Sequence, residues 1–274
     1  MKNQLLTEEF MARAKRHYIP GYVWHITHRC HKREFLLKFS RDRHRYLQWL
    51  YQARKRYGLT ILNYMVTSNH IHLLVVDDGD REVIPNSMQL VAGRTGQEYN
   101  QRKGRKGAYW EDRYHATAVE SGEHLARCMV YIDTNKVRAG VVSHPSMWAF
   151  SGYNEIQEPR RKNVLIDYEK LPKLLGAGSY DQLRDGHRKW VEQYVGDGEK
   201  VRKEEWTGSV AVGSRSFVEK VKSLLGFRAK GRKVIDASGG YQVREKLSSY
   251  NAHFGAKRVD IGPKNAYLWN VKPE

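Results

Sequence analysis

The sequence predicts an α+β protein: a ferredoxin-like antiparallel sheet with helices on one face, plus a smaller, mainly helical C-terminal region. Three observations lead there. Segments rich in β-branched and aromatic residues alternate with helical stripes in the order strand, helix, strand, strand, helix, strand, and one more helix follows. Glycines stand where helices should stop, at Gly58, Gly140, Gly176 and Gly226. Two apolar segments flank the short turn Thr67-Ser68-Asn69 and read as a hairpin.

Residues 1–17 read as a lead-in, and Pro20-Gly21 signals a turn before a first strand from Tyr22 to His28. Ser40 is placed to cap a helix running to about Tyr57, with Tyr46, Leu47, Leu50 and Tyr51 as its apolar stripe. Leu59 to Val66 and His70 to Val76 are the next strands, ended by Asp77-Asp78-Gly79-Asp80. Ser87 is expected to cap a second helix over roughly residues 88–101. A glycine-hinged basic loop, Gln101 to Gly107, leads through Tyr109-Trp110 and Arg113-Tyr114 to a short fourth strand, His115 to Val119. Ser121 is expected to cap a third helix from about Gly122 to Arg138.

The polar stretch from Ser151 to Asn163, with Pro159 and Arg160-Arg161-Lys162, marks a boundary between a unit at 1–155 and a basic, mainly helical region at 156–274. Helices are expected there over Tyr168 to Leu175, Tyr180 to Tyr194 and Phe217 to Leu225. Tyr241 to Tyr250 fits either strand or helix, and Tyr267 to Val271 is apolar enough to dock.

Charge narrows the partner. The 274 residues hold 48 Lys+Arg against 30 Asp+Glu, a net +18, and residues 1–155 and 156–274 each carry +9. A basic surface spread over both halves suits a polyanion touched by both. With 17 Tyr and 7 Trp available for base stacking, nucleic acid is favoured over acidic lipid. Two cysteines, Cys30 and Cys128, are too few for a disulfide framework. No apolar signal segment and no run of about 20 apolar residues is present, so a cytoplasmic protein away from membranes is expected.

The chemistry centres on His70-Ile71-His72. Side chains alternate faces along a strand, so the two imidazoles point the same way and could hold one metal ion. On the third helix, Leu125, Cys128, Met129 and Ile132 make a core stripe, and Arg127, Tyr131, Asn135 and Arg138 make a neighbouring one. If that helix packs on the imidazole face, the Asn135 oxygen becomes a third ligand and Tyr131 a nucleophile toward phosphorus. Imidazole ligands suit Mn by hardness, and cellular abundance favours Mg. Arg102, Lys103, Arg105 and Lys106 of the basic loop, with Trp110 and Arg113, are candidates for DNA contact, as are Arg127 and Arg138. A charge run in a loop is also often only solvated, and both readings stay open. Arg228 to Lys233 is a second basic group, either a hairpin-duplex contact or a solvated turn. His25 and His28, three apart on a strand, face opposite ways and are not a metal pair.

These residues carry a resemblance. Asn69 to Leu74 together with Tyr131 to Val142 resembles the single-tyrosine HUH transposases, and within them the REP-associated tyrosine transposases of bacteria. Tyr22 to Arg29 and Tyr109 to His115 also match, so the likeness spans about residues 15–155. Members usually have proline where this chain has Lys136, a departure expected to alter the helix end more than the chemistry. The resemblance implies the HUH nuclease fold and metal-dependent cleavage and rejoining of single-stranded DNA through a 5′-phosphotyrosine. The implied substrate is a palindromic repeat hairpin with a short guide sequence. A monomer is expected, associated with the bacterial nucleoid. Two other readings are a domesticated hairpin-binding protein of the same fold with little catalysis, and a metal-dependent nuclease in which water attacks.

Overall fold

The structure is a computed structural model that describes residues 19–198 and 203–244. The lead-in over 1–17 and the apolar segment at 267–271 lie outside the described residues. The N-terminal elements run β1 (Val23–Arg29), α1 (Ser40–Tyr57), β2 (Thr60–Val66), β3 (His70–Val76), α2 (Val83–Lys103) and β4 (His115–Val119). Then come α3 (Glu123–Asp133), α4 (Asn135–Arg138) and α5 (Gly152–Gln157). The remainder is α6 (Lys170–Leu175), α7 (Tyr180–Gly196), α8 (Glu205–Gly208), β5 (Ser209–Gly213), α9 (Arg215–Leu225), β6 (Lys233–Ala237) and β7 (Gly240–Arg244).

One sheet runs through the molecule in the order β2-β3-β1-β4-β5-β7-β6. Its first four strands are antiparallel and have the ferredoxin-like order. Cross-strand partners point to the same face. Trp24, Ile26 and His28 of β1 therefore share a face with Val75, Leu73 and Ile71 of β3. The crossover helices α1 and α2 cover that face: Trp110 stacks on His28 at 4.1 Å, meets Tyr46 of α1 edge-on, and donates its indole N–H to the Ala92 carbonyl of α2. Gly58 ends α1 at φ 70°, a left-handed conformation that a glycine adopts without a Cβ penalty.

Three expectations need correction. The two crossover helices do share one face, but α3 covers the other: Tyr131 sits edge-on to His25 and His72, and Asp133 is bonded to Asn63 of β2. This is why β2 is buried at every position and β3 at all but its first. Next, α2 begins at Val83, not after Ser87. Pro85 falls in the first turn, where a missing N–H costs nothing, and Ser87 is buried inside the helix. Lastly, the third helix stops at Asp133 and does not run to Arg138. Thr134 leaves helical geometry (φ −82°, ψ 5°) with its hydroxyl donating to the Val130 carbonyl at 2.7 Å, and the separate turn α4 follows. Gly122, at φ 75°, takes the N-cap position in place of Ser121.

The C-terminal region holds its expected helices and also three strands. β5 pairs in parallel with β4, and the hairpin β6–β7 joins through β7, which resolves residues 240–244 as strand. The expected boundary at 155/156 falls within α5, whose Tyr153, Glu155 and Ile156 are buried. Glu155 accepts from the backbone N–H of Leu165 and of Ile166 and from the Tyr64 hydroxyl. No helix among the described residues is long and apolar enough to cross a membrane.

A buried polar chain ties α7 to the middle of this fold. The Gln157 amide oxygen accepts from Arg188, so its nitrogen faces His187 Nδ1 at 3.0 Å and donates. His187 Nε2 then donates to Asp133 at 2.8 Å, and Asn63 Nδ2 donates to both Asp133 oxygens at 3.1 Å. Asp133 and His187 are wholly buried. Removing one partner strands the other, a loss of about 3–5 kcal/mol for a buried pair. His187→Ala should therefore lower the urea unfolding midpoint by a large step, whereas His144→Ala, at a half-exposed contact with Glu192, should shift it less.

Candidate active site

Strand register creates the site. β3 places His72 opposite Thr27 and His70 opposite Arg29, on the face that α3 covers. The two imidazole centroids are 5.0 Å apart and nearly perpendicular. For each ring, the neighbours determine which nitrogen faces the cleft.

For His70 the argument starts at Asn69. Its amide nitrogen donates to the Arg33 carbonyl at 3.2 Å, so its oxygen is the atom 2.8 Å from His70 Nδ1. An oxygen there accepts, so Nδ1 carries the hydrogen, and Nε2 is the nitrogen that holds the lone pair whenever the ring is neutral. For His72 the argument starts at Trp206. Its carbonyl can only accept, so His25 Nδ1, at 2.8 Å, donates. Burial drives the His25 pKa down to about 3, outweighing the hydrogen bond to Trp206, and nearby His115 lowers it further. Neutral His25 then accepts on Nε2, so His72 Nδ1 donates to it at 2.9 Å. The His72 lone pair is left on Nε2, 3.2 Å from the Asn135 amide nitrogen.

Tyr131 arrives from α3. Its ring centroid lies 6.0 Å from that of His72, edge-on, and 6.2 Å from that of Trp206. The Arg138 guanidinium lies over it at 4.1 Å, held by a 2.6 Å bond from Nη1 to the Thr134 hydroxyl. His70, His72, Tyr131 and Asn135 thus line one cleft of about 530 Å³, together with Arg29, Arg113 and Arg138 and the acidic Glu111 and Asp112. Among the described residues no group of three or more His, Cys, Asp or Glu could hold a metal ion, so a third protein donor beside the two imidazoles would be of another type, such as the Asn135 amide.

The candidate DNA contacts separate by position. Arg113 and Arg138 line the cleft, and Arg127 lines a neighbouring groove. Arg102 is paired with Asp42, and Arg105 bonds Asn100, the Ala108 carbonyl and Glu34, at the far end of α2. Lys103 lies near the Phe39 ring, and Lys106 is exposed. Trp110 packs between α1, α2 and β1 and does not line the cleft. Lys136, where proline is usual, lies 4.6 Å from the Trp148 ring. His25, set aside as a metal ligand in the sequence, contacts His72, and Trp206 and His115 adjoin it, contacts that the sequence did not mark. Trp206 is 181 residues from the histidine it bonds, and no local pattern marks it.

The low pKa of His25 carries a stability consequence. The unfolded chain takes up this proton near the ordinary value of 6.5, whereas the folded chain resists it down to about 3. The residue therefore contributes stability above pH 6.5 that is lost as pH falls toward 3, about 2 kcal/mol of it by pH 5. His25→Gln should flatten the fall in unfolding free energy between pH 7 and pH 5, measured by urea titration at each pH. An unchanged slope would contradict the buried, neutral assignment.

Residues 19–135 match the family described as "Transposase IS200 like", a span that runs from the start of the sheet to Asn135. No curated protein matches the chain. Among solved structures it is similar to a REP-associated tyrosine transposase bound to a REP hairpin, at 19% identity and TM-score 0.45, over 58% of this chain and 95% of that one. It is also similar to a putative transposase from Deinococcus radiodurans R1, at 17% identity and TM-score 0.31, over 42% of this chain and 91% of that one. The match over residues 19–135 takes in both histidines, the tyrosine and the asparagine.

Proposed function

We propose that the protein cleaves and rejoins single-stranded DNA beside repeat hairpins, with Tyr131 as nucleophile and a 5′-phosphotyrosine as intermediate. One observation carries the reading: two imidazoles, an amide and a tyrosine share one cation-edged cleft. The net +18 charge and the match of residues 19–135 to an IS200-like transposase family support a DNA substrate. The REP-type hairpin rests on the sequence resemblance.

The donor set fits a divalent cation. Neutral imidazole nitrogens are its usual partners, and both are held in the correct tautomer by bonds on their other nitrogen. The Asn135 amide carries an oxygen as well as a nitrogen, so it can serve as the third ligand. Mg or Mn bound there would polarise the scissile phosphate and offset charge in the transition state. The chain's residues do the rest. Arg29, Arg113 and Arg138 hold the strand by its phosphates. The Arg138 charge over the Tyr131 ring offsets charge that develops on the phenol oxygen. That oxygen bonds to phosphorus and releases its proton to solvent. The bond from phosphorus to the 3′ oxygen breaks, and the 3′ oxygen takes up a proton. Attack by another 3′-hydroxyl reverses the sequence and rejoins the strand. In this proposal residues 1–155 do the chemistry and residues 156–274 contact the hairpin.

The test is a denaturing gel of a labelled hairpin oligonucleotide incubated with the full chain and Mn²⁺ or Mg²⁺. Wild type should form a slow-migrating covalent adduct and Tyr131→Phe none, while His25→Gln should slow cleavage about 10- to 100-fold through the tautomer of His72. Cleavage that survives Tyr131→Phe would assign the attack to water, and binding without cleavage would leave only a hairpin-binding protein.

A further inference from the structure

The cleft is not the largest hollow beside Tyr131. A groove of about 700 Å³ runs along the other side of α3, and Tyr131 lines both. Its floor is the stripe Glu123, Ala126, Arg127, Val130 and Tyr131, residues that share one side of α3. Eight residues of helix rise about 12 Å, so the groove leads from the helix start to the nucleophile. Its walls come from the C-terminal region: Trp190 and Tyr194 of α7, Trp206 of α8, Lys203, and the turn at Ser238-Gly239 between β6 and β7.

We infer that this groove is a subsite for an unpaired nucleotide of the DNA strand next to the scissile phosphate. The inference rests on the proposed function and specifies which part of the substrate the C-terminal region meets. Continuity is the first argument: a strand with a phosphate at Tyr131 must leave the cleft, and this groove opens at the same side chain. Aromatic walls are the second. Trp190 keeps 37% of its surface exposed although it lines a concavity with three more aromatic rings, and a nucleobase would stack there. Charge is the third. Lys203 and Arg127 suit a phosphate, and Arg127 is held in place by Glu123 at 2.5 Å and by the Gly239 carbonyl at 2.5 Å. A Cβ on Gly239 would fall 1.7 Å from Arg127 Nη1, so this turn is shaped around the guanidinium.

The experiment uses hairpin oligonucleotides in which each single-stranded position near the cleavage point is made abasic in turn, bound to the full chain and followed by fluorescence anisotropy. Stacking of a base is worth about 1–3 kcal/mol, so one position adjacent to the scissile phosphate should lose about 5- to 150-fold in affinity when abasic. In Trp190→Ala the same abasic change should cost little, whereas Trp190→Phe should restore the penalty. Thermal melting of each variant keeps loss of fold apart from loss of stacking. Equal penalties in wild type and Trp190→Ala would overturn the subsite, and so would a groove occupied by another part of this chain or by a second copy, which gives that same result. Cleavage lost only in Tyr131→Phe would then still uphold the proposed function. Conversely, a Trp190-dependent penalty without any cleavage would uphold the subsite and defeat the chemistry.

Discussion

The packing of α3 across the imidazole face of the sheet is the constraint on which the site depends. His70 and His72 are set by strand register, but Tyr131 and Asn135 reach them only if α3 lies at the right rotation and height. Leu125, Cys128, Met129 and Ile132 are fully buried along one stripe, and at about 1.5–3 kcal/mol for a fully buried large apolar side chain they supply most of the adhesion. Such burial is non-directional and tolerates sliding. Direction comes from Asp133, bonded to Asn63 of β2 on one side and to His187 of α7 on the other. That network lies two residues from Tyr131 and two from Asn135, so it indexes both. The break at Thr134 then turns the chain into α4.

The C-terminal region completes the site as well as extending the sheet. The Trp206 carbonyl fixes the hydrogen on His25, and that fixes the hydrogen on His72. The same carbonyl lies 3.3 Å from the Thr117 hydroxyl, tying α8 to β4. A long-range path thus joins the tail of the fold to a candidate ligand atom. The distribution of positive charge follows the same logic. Arg29, Arg113 and Arg138 edge the cleft and Arg127 the groove beyond it, whereas Arg102 in the last turn of α2 and Arg105 just after it are already engaged with Asp42 and Glu34. Charge near the site therefore comes from positions scattered through the sequence, and the most conspicuous run of charge is elsewhere.

What could be read from the sequence follows the range of each interaction. The element order, the strand over His70–Val76 and the glycine ends of α1 and α6 are local patterns, and the structure has them. The shared stripe of Tyr131 and Asn135 is likewise local, and the break at Thr134 does not separate the two from the cleft. The second covered face has a local mark in the sequence: Leu73-Leu74-Val75-Val76 is a continuous apolar run, as in a strand buried on both sides. The start of α2 at Val83 departs from the expected cap at Ser87 because Pro85 is tolerated in a first turn. The pairing of β5 with β4 and β7, the His25–Trp206 link and the Asp133–His187 pair could not be read, since each joins segments far apart in the chain.

The central claim is that α3 delivers a nucleophilic tyrosine to a pair of imidazoles. The most direct measurement is mass spectrometry of the adduct after proteolysis, following incubation with a short single-stranded hairpin substrate and Mn²⁺. The account predicts a nucleotide joined through its 5′-phosphate to the peptide that contains Tyr131. Attachment at Tyr114, or at any residue outside the cleft, would contradict it.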